Sequence, residues 1–84
     1  MIPLTLAEVA DAVGGTVLGC DGTQLISGSV EFDSRRVGAG GLFVAIPGER
    51  VDGHDFAAIA MAAGAVGVLA GRPVGVPAVL APRP

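Results

Sequence analysis

Six consecutive residues, Glu31-Phe32-Asp33-Ser34-Arg35-Arg36, hold four of the thirteen charged side chains of this 84-residue chain. A second polar group, Glu49, Arg50, Asp52, His54 and Asp55, follows after one apolar run. Ser34 and Arg35 set a hydroxyl beside a planar guanidinium, a pair suited to phosphate or carboxylate oxygens. Glycines at Gly38 to Gly41 and Gly48 would let the backbone approach a ligand closely. A helix opening near Asp55 would aim free N–H groups at an anion. Each residue also has a plainer reading. Asp33 followed by Arg35 or Arg36 is a common solvated turn pair, worth ~0–1 kcal/mol. The glycines also suit turns alone. His54 beside Asp55 reads as a helix-start residue, since no ligand set accompanies it. Cys20 has no base patterned near it and reads as a small edge or core residue. Two polar loops in one small apolar chain nevertheless favour a binding site carried on loops.

Several kinds of chemistry are excluded by composition. The chain has five arginines and no lysine, which rules out a P-loop within it and any Schiff-base chemistry. A net charge of −3 argues against nucleic-acid partners and anionic membrane surfaces, both of which need clustered cations. Mean hydropathy is high, +0.69. Yet the longest uncharged run, Phe56 to Gly71, is sixteen residues with three glycines, and a spanning helix takes ~20 apolar residues. No membrane insertion is expected. Glu8 and Asp11 stand where a signal peptide would be apolar. One cysteine, Cys20, gives no disulfide framework and suits a reducing cytoplasm.

The elements that must carry these loops can be read in turn. Thr5 with Glu8 three residues later has the capping-box spacing, and Leu4 and Val9 have that of a hydrophobic staple. Leu6, Val9, Ala10 and Val13 form one helical face, closed by Gly14-Gly15. Strands are expected over Thr16 to Cys20, Gln24 to Phe32, Leu42 to Ile46, Val66 to Ala70 and Pro77 to Leu80. A second helix should open between Asp52 and Asp55, bury Phe56, Ile59, Ala60 and Ala63, and stop at Gly64. The class is α/β, a small mixed β-sheet with two main helices.

The stretch from Glu31 to Phe56 closely resembles the N-terminal domain of the Mur ligases, the ATP-dependent amide-forming enzymes of peptidoglycan precursor synthesis. It combines the Asp33-Ser34-Arg35 turn, the Gly41-Leu42-Phe43-Val44-Ala45 strand, the Gly48-Glu49-Arg50 loop and Asp52-Gly53-His54-Asp55-Phe56. The opening Leu4-Thr5-Leu6-Ala7-Glu8-Val9-Ala10 with Gly14-Gly15 is more similar to the MurF type, which adds D-alanyl-D-alanine, than to the MurE type, which adds the third amino acid. The resemblance implies a cytoplasmic ligase in which residues 1–80 bind the UDP end of UDP-N-acetylmuramoyl-tripeptide. Residues 81–84 would begin the linker to the central and C-terminal domains. It implies UDP contacts from Phe32, Ser34, Arg35, Glu49, Arg50 and Val51. Arg35 would either reach phosphate or brace the turn, and the Phe32 ring, where an aliphatic residue is common, would allow stacking on uracil. Neither a catalytic residue nor a metal ligand is expected in this chain, because ATP and Mg²⁺ belong to the central domain. The alternatives are a MurE-type domain and a stand-alone binding module without catalysis.

Overall fold

The computed structural model describes residues 3–45 and 53–81. The chain enters through a two-residue strand, β1 (Leu4–Thr5), and turns directly into helix α1 (Leu6–Val13). The start of that helix is fixed by its own sequence. Thr5 is the N-cap, its Oγ1 accepting the Glu8 N–H at 3.1 Å, while Glu8 Oε1 accepts the Thr5 N–H at 2.9 Å. Two otherwise unpaired backbone donors are thereby satisfied. Gly14, in the left-handed region at φ 68°, ends the helix.

Four further short strands lead to the second helix: β2 (Thr16–Leu18), β3 (Leu25–Ile26), β4 (Val30–Glu31) and β5 (Leu42–Val44). A 3₁₀ turn (Gly53–Phe56) runs into α2 (Ala57–Ala62), followed by β6 (Gly67–Ala70) and β7 (Ala78–Leu80). The main sheet has the order β2-β7-β6-β5-β4. Its last four strands are mutually parallel, and β2 closes one edge antiparallel to β7, with Val17 opposite Val79. β1 and β3 form a separate antiparallel pair. The expected class, an α/β chain with a mixed sheet and two helices, is the one observed.

The sheet is buried on both faces, as a parallel sheet requires. Leu6 and Ala10 of α1 pack with Leu42 and Val79 on one side. Phe43, Val68 and Ala78 point to the other side, against Ala57 and Ala60 of α2 and Val37 of the β4–β5 crossover. Strand alternation thus sends neighbours such as Leu42 and Phe43 to opposite helices.

Two sequence expectations are corrected. Gln24 to Phe32 is two strands in different sheets, because the backbone leaves one ladder for the other at Ser27–Ser29. There the Ser27 and Gly28 N–H groups both donate to the Gly40 carbonyl, and the Ser29 carbonyl accepts from Leu42. The buried face of α2 is Ala57 and Ala60, and Ile59 is 51% exposed. The preceding 3₁₀ turn winds three residues per turn, which rotates the helix out of the phase expected from Phe56. The expected strand end at Ile46, the helix start at Asp52 and the linker at 82–84 lie outside the described residues.

Candidate functional site

Four parallel strands bring their carboxyl ends to one edge of the sheet. Open α/β sheets bind ligands there, because the connections leaving those ends converge. Phe32–Arg36 leaves β4 at this edge, the segment after β5 leaves beside it, and Gly71–Pro73 leaves β6 on the far side. β4 and β6 flank β5 and so stand ~10 Å apart. Glu49, Arg50, Val51 and Asp52 lie outside the described residues, so of the second polar group only His54 and Asp55 have a geometry.

That geometry is a tight turn organised by Asp33. Its Oδ1 accepts the Arg35 backbone N–H at 2.9 Å and the Arg35 Nε at 3.0 Å, while Oδ2 accepts Nη2 at 2.9 Å. The Asp33 carbonyl accepts the Arg36 N–H at 2.9 Å. A carboxylate that caps its own turn and also grips a guanidinium through two parallel bonds fixes both backbone and side chain. Ser34 is buried, 8% exposed, whereas Phe32 is 69% exposed and the Arg35 side chain 86% exposed. The turn thus presents Arg35 and Phe32 outward and tucks Ser34 beneath them. Of the two roles open to Arg35, bracing the turn is the one seen, although its remaining donors still face solvent.

The electrostatics follow from these bonds. Hydrogen bonds from the Arg35 side chain and backbone hold the Asp33 carboxyl down at about 2, and Asp33 in turn raises the Arg35 guanidinium. A carboxyl depressed in the folded state stabilises above its unfolded value of 3.8, and that stabilisation disappears as pH falls through about 2. Stability between those two pH values should therefore decline less steeply in Asp33→Asn than in the parent chain. Acid unfolding followed by circular dichroism checks this, and superimposable curves would show that the pair adds nothing to the fold.

His54 is the residue that sequence reasoning undervalued. Its side chain is 8% exposed, and its Nε2 accepts the Gly71 backbone N–H at 3.0 Å. It is a helix-start residue, as expected, but one that ties the turn opening α2 to the end of β6. No local signal could reveal a partner seventeen residues away. Among the described residues, no group of three or more His, Cys, Asp or Glu side chains is placed to hold a metal ion. A cavity of about 290 Å³ is lined on the α1 side by Leu4, Val9, Ile26 and Val30.

Comparison with known proteins places this architecture. Residues 27–81 match the Mur ligase family, catalytic domain. That match begins just before β4 and takes in every parallel strand of the main sheet. The UDP-N-acetylmuramoyl-tripeptide–D-alanyl-D-alanine ligase of Mycobacterium leprae is 60% identical over 100% of this chain and 17% of its own length. A UDP-N-acetylmuramoyl-L-alanyl-D-glutamate–2,6-diaminopimelate ligase from Geobacillus kaustophilus is 54% identical, over 62% of this chain and 11% of its own. The crystal structure of MurF from Acinetobacter baumannii superposes with a TM-score of 0.82 at 27% identity, over 96% of this chain and 18% of that one. The chain accordingly spans about a sixth of the length of the ligases it matches. With its parallel sheet matched by the family and its whole length, α1 included, matched by a D-alanyl-D-alanine ligase, the chain belongs to the Mur ligase family and is most like its MurF members.

Proposed function

We propose that this chain is the N-terminal recognition domain of a MurF-type ligase, holding the UDP end of UDP-N-acetylmuramoyl-tripeptide while the complete enzyme adds D-alanyl-D-alanine. The observation that carries the MurF reading is extent. The Mycobacterium leprae D-alanyl-D-alanine ligase matches 100% of the chain, and the diaminopimelate ligase 62%. Residues 1–80 form the domain, and 81–84 lead to the central and C-terminal domains. The enzyme is cytoplasmic, and no helix among the described residues is long and apolar enough to cross a membrane.

ATP, Mg²⁺ and the phosphate chemistry are assigned to the rest of the enzyme, a reading supported by the lack of any lysine in these 84 residues to reach a terminal phosphate. What these residues supply is position. Holding the nucleotide end of a long substrate lowers the entropic cost of aligning its far carboxylate with ATP and the incoming amine.

Ser34, Arg35 and Phe32 are the described residues assigned to the nucleotide, together with Glu49, Arg50 and Val51, which lie outside the described residues. Asp33 occupies Nε and Nη2 of Arg35, two of the group's three nitrogens, leaving Nη1 donors for a diphosphate oxygen. The exposed Phe32 ring offers a face to uracil. In the full-length ligase, Arg35→Ala should raise KM for the UDP substrate by the loss of one charge-assisted hydrogen bond, ~1.5–3 kcal/mol. KM for ATP should not change. An unchanged substrate KM with a lowered melting temperature would assign Arg35 to the turn alone. Preference for D-alanyl-D-alanine over a single amino acid as acceptor separates the MurF reading from the MurE one.

A further inference from the structure

We infer that His54 is a positioning residue for substrate recognition, acting through the Gly71 amide; the inference rests on the proposed binding of the UDP substrate at the carboxyl edge. Three observations combine. The imidazole is 8% exposed, so it is committed to the protein interior. Its Nε2 accepts a backbone N–H from the residue immediately after β6, at 3.0 Å. It also stands in the 3₁₀ turn that opens α2, on the connection that leaves β5, the strand next to the Ser34 turn. One buried ring thereby fixes the spacing between two connections that emerge at the same edge.

The bond has a chemical requirement. An imidazole nitrogen accepts only with its lone pair free, so the ring proton sits on Nδ1. Among the described residues the ladder bonds beside Gly71 are Ala45 donating to Leu69 and Ala81 donating to Ala70, and the Gly71 N–H itself goes to the imidazole. Without the imidazole, the amide at the head of the Gly71–Pro73 connection loses the acceptor that sets its direction. The backbone that follows would then lose that fixed direction at the edge where the substrate is recognised. The fold itself would persist, because the cores on both faces of the sheet do not depend on this contact.

The test compares His54→Leu, which keeps bulk and removes the acceptor, with His54→Gln, whose Oε1 replaces it, in the full-length ligase. His54→Leu should raise KM for UDP-N-acetylmuramoyl-tripeptide about ten-fold, the scale of a small misplacement. It should leave kcat and KM for ATP unchanged and speed hydrogen exchange of the peptide containing Gly71. His54→Gln should restore both. Gly71→Pro, which removes the donor, should copy His54→Leu, and the two changes together should cost no more than either alone. A folded His54→Leu enzyme with parental KM would overturn the inference, as would failure of glutamine to rescue. Comparing the parent enzyme on the UDP substrate and on the same muramoyl peptide without UDP isolates the underlying reading. No preference there would sink the proposed function, whereas a preference undiminished in His54→Leu would sink only the role of His54.

Discussion

Gly64→Ala is expected to destabilise the chain by ~2–6 kcal/mol, combining backbone strain with a steric shift. Gly64 adopts φ +113°, a conformation that side chains with a Cβ rarely take. A Cβ there would stand 2.8 Å from Ala39 Cα and 3.0 Å from Ala39 N, both backbone atoms that cannot swing aside. The Gly64 carbonyl also accepts the Gly40 N–H at 2.9 Å, so the end of α2 and the β4–β5 crossover are fused at this point. For a domain of this size each kcal/mol moves the melting temperature by ~4–8 °C. A fall of tens of degrees by scanning calorimetry is the expected result. The crossover begins with the Asp33–Arg36 turn, so affinity for the UDP substrate should weaken in the same variant. A melting temperature within a few degrees of the parent would mean that the crossover can lift off the helix at little cost.

Phe43→Ala should cost ~3–5 kcal/mol, the usual range for emptying an aromatic site in a core. Phe43 is 1% exposed, and alanines supply most of its buried neighbours on the α2 side, among them Ala45, Ala57, Ala60, Ala70 and Ala78. Small side chains on helix and strands allow close approach, but they leave the one fully buried ring among the described residues to fill most of the layer between them. None of them can extend into the space left by its removal. Domain stabilities run at ~0.05–0.15 kcal/mol per residue, so this one deletion removes a large share of the total. Urea unfolding should show a lower midpoint with unchanged slope. A loss below ~1 kcal/mol would mean that α2 settles onto the sheet and closes the cavity.

The parts of this fold that were legible in sequence are those specified by neighbours a few residues apart. Thr5 and Glu8 announce their reciprocal bonds by spacing alone, and Gly14 marks the helix end because so few residues tolerate its φ. Leu42 to Ile46 reads as a buried strand because it is apolar without interruption. What was misread depends on distant partners. Nothing within Gln24 to Phe32 states that Gly40 will draw Ser27 and Gly28 out of one ladder and into another. In α2, alanine carries too little hydrophobic contrast to show which side faces the core, and the visible pattern followed the exposed Ile59 instead. The Asp33 turn was recognisable from residue types, yet burial of Ser34 and outward display of Arg35 follow from the crossover that the turn begins. The bond between His54 and Gly71 had no local signature at all.

The antiparallel seam between β2 and β7 sets the order in which the chain can assemble during synthesis. Val17 meets its partner Val79 only after some sixty intervening residues have emerged. The capped first helix can wind early, since its signals are local, but the strand that follows must wait unpaired until the last strand is made. Closing so long a loop carries an entropic cost that only the finished sheet repays. A ribosome stalled before residue 78 should therefore display a nascent chain whose first twenty residues are still accessible to protease, while one stalled well beyond Ala81 should not.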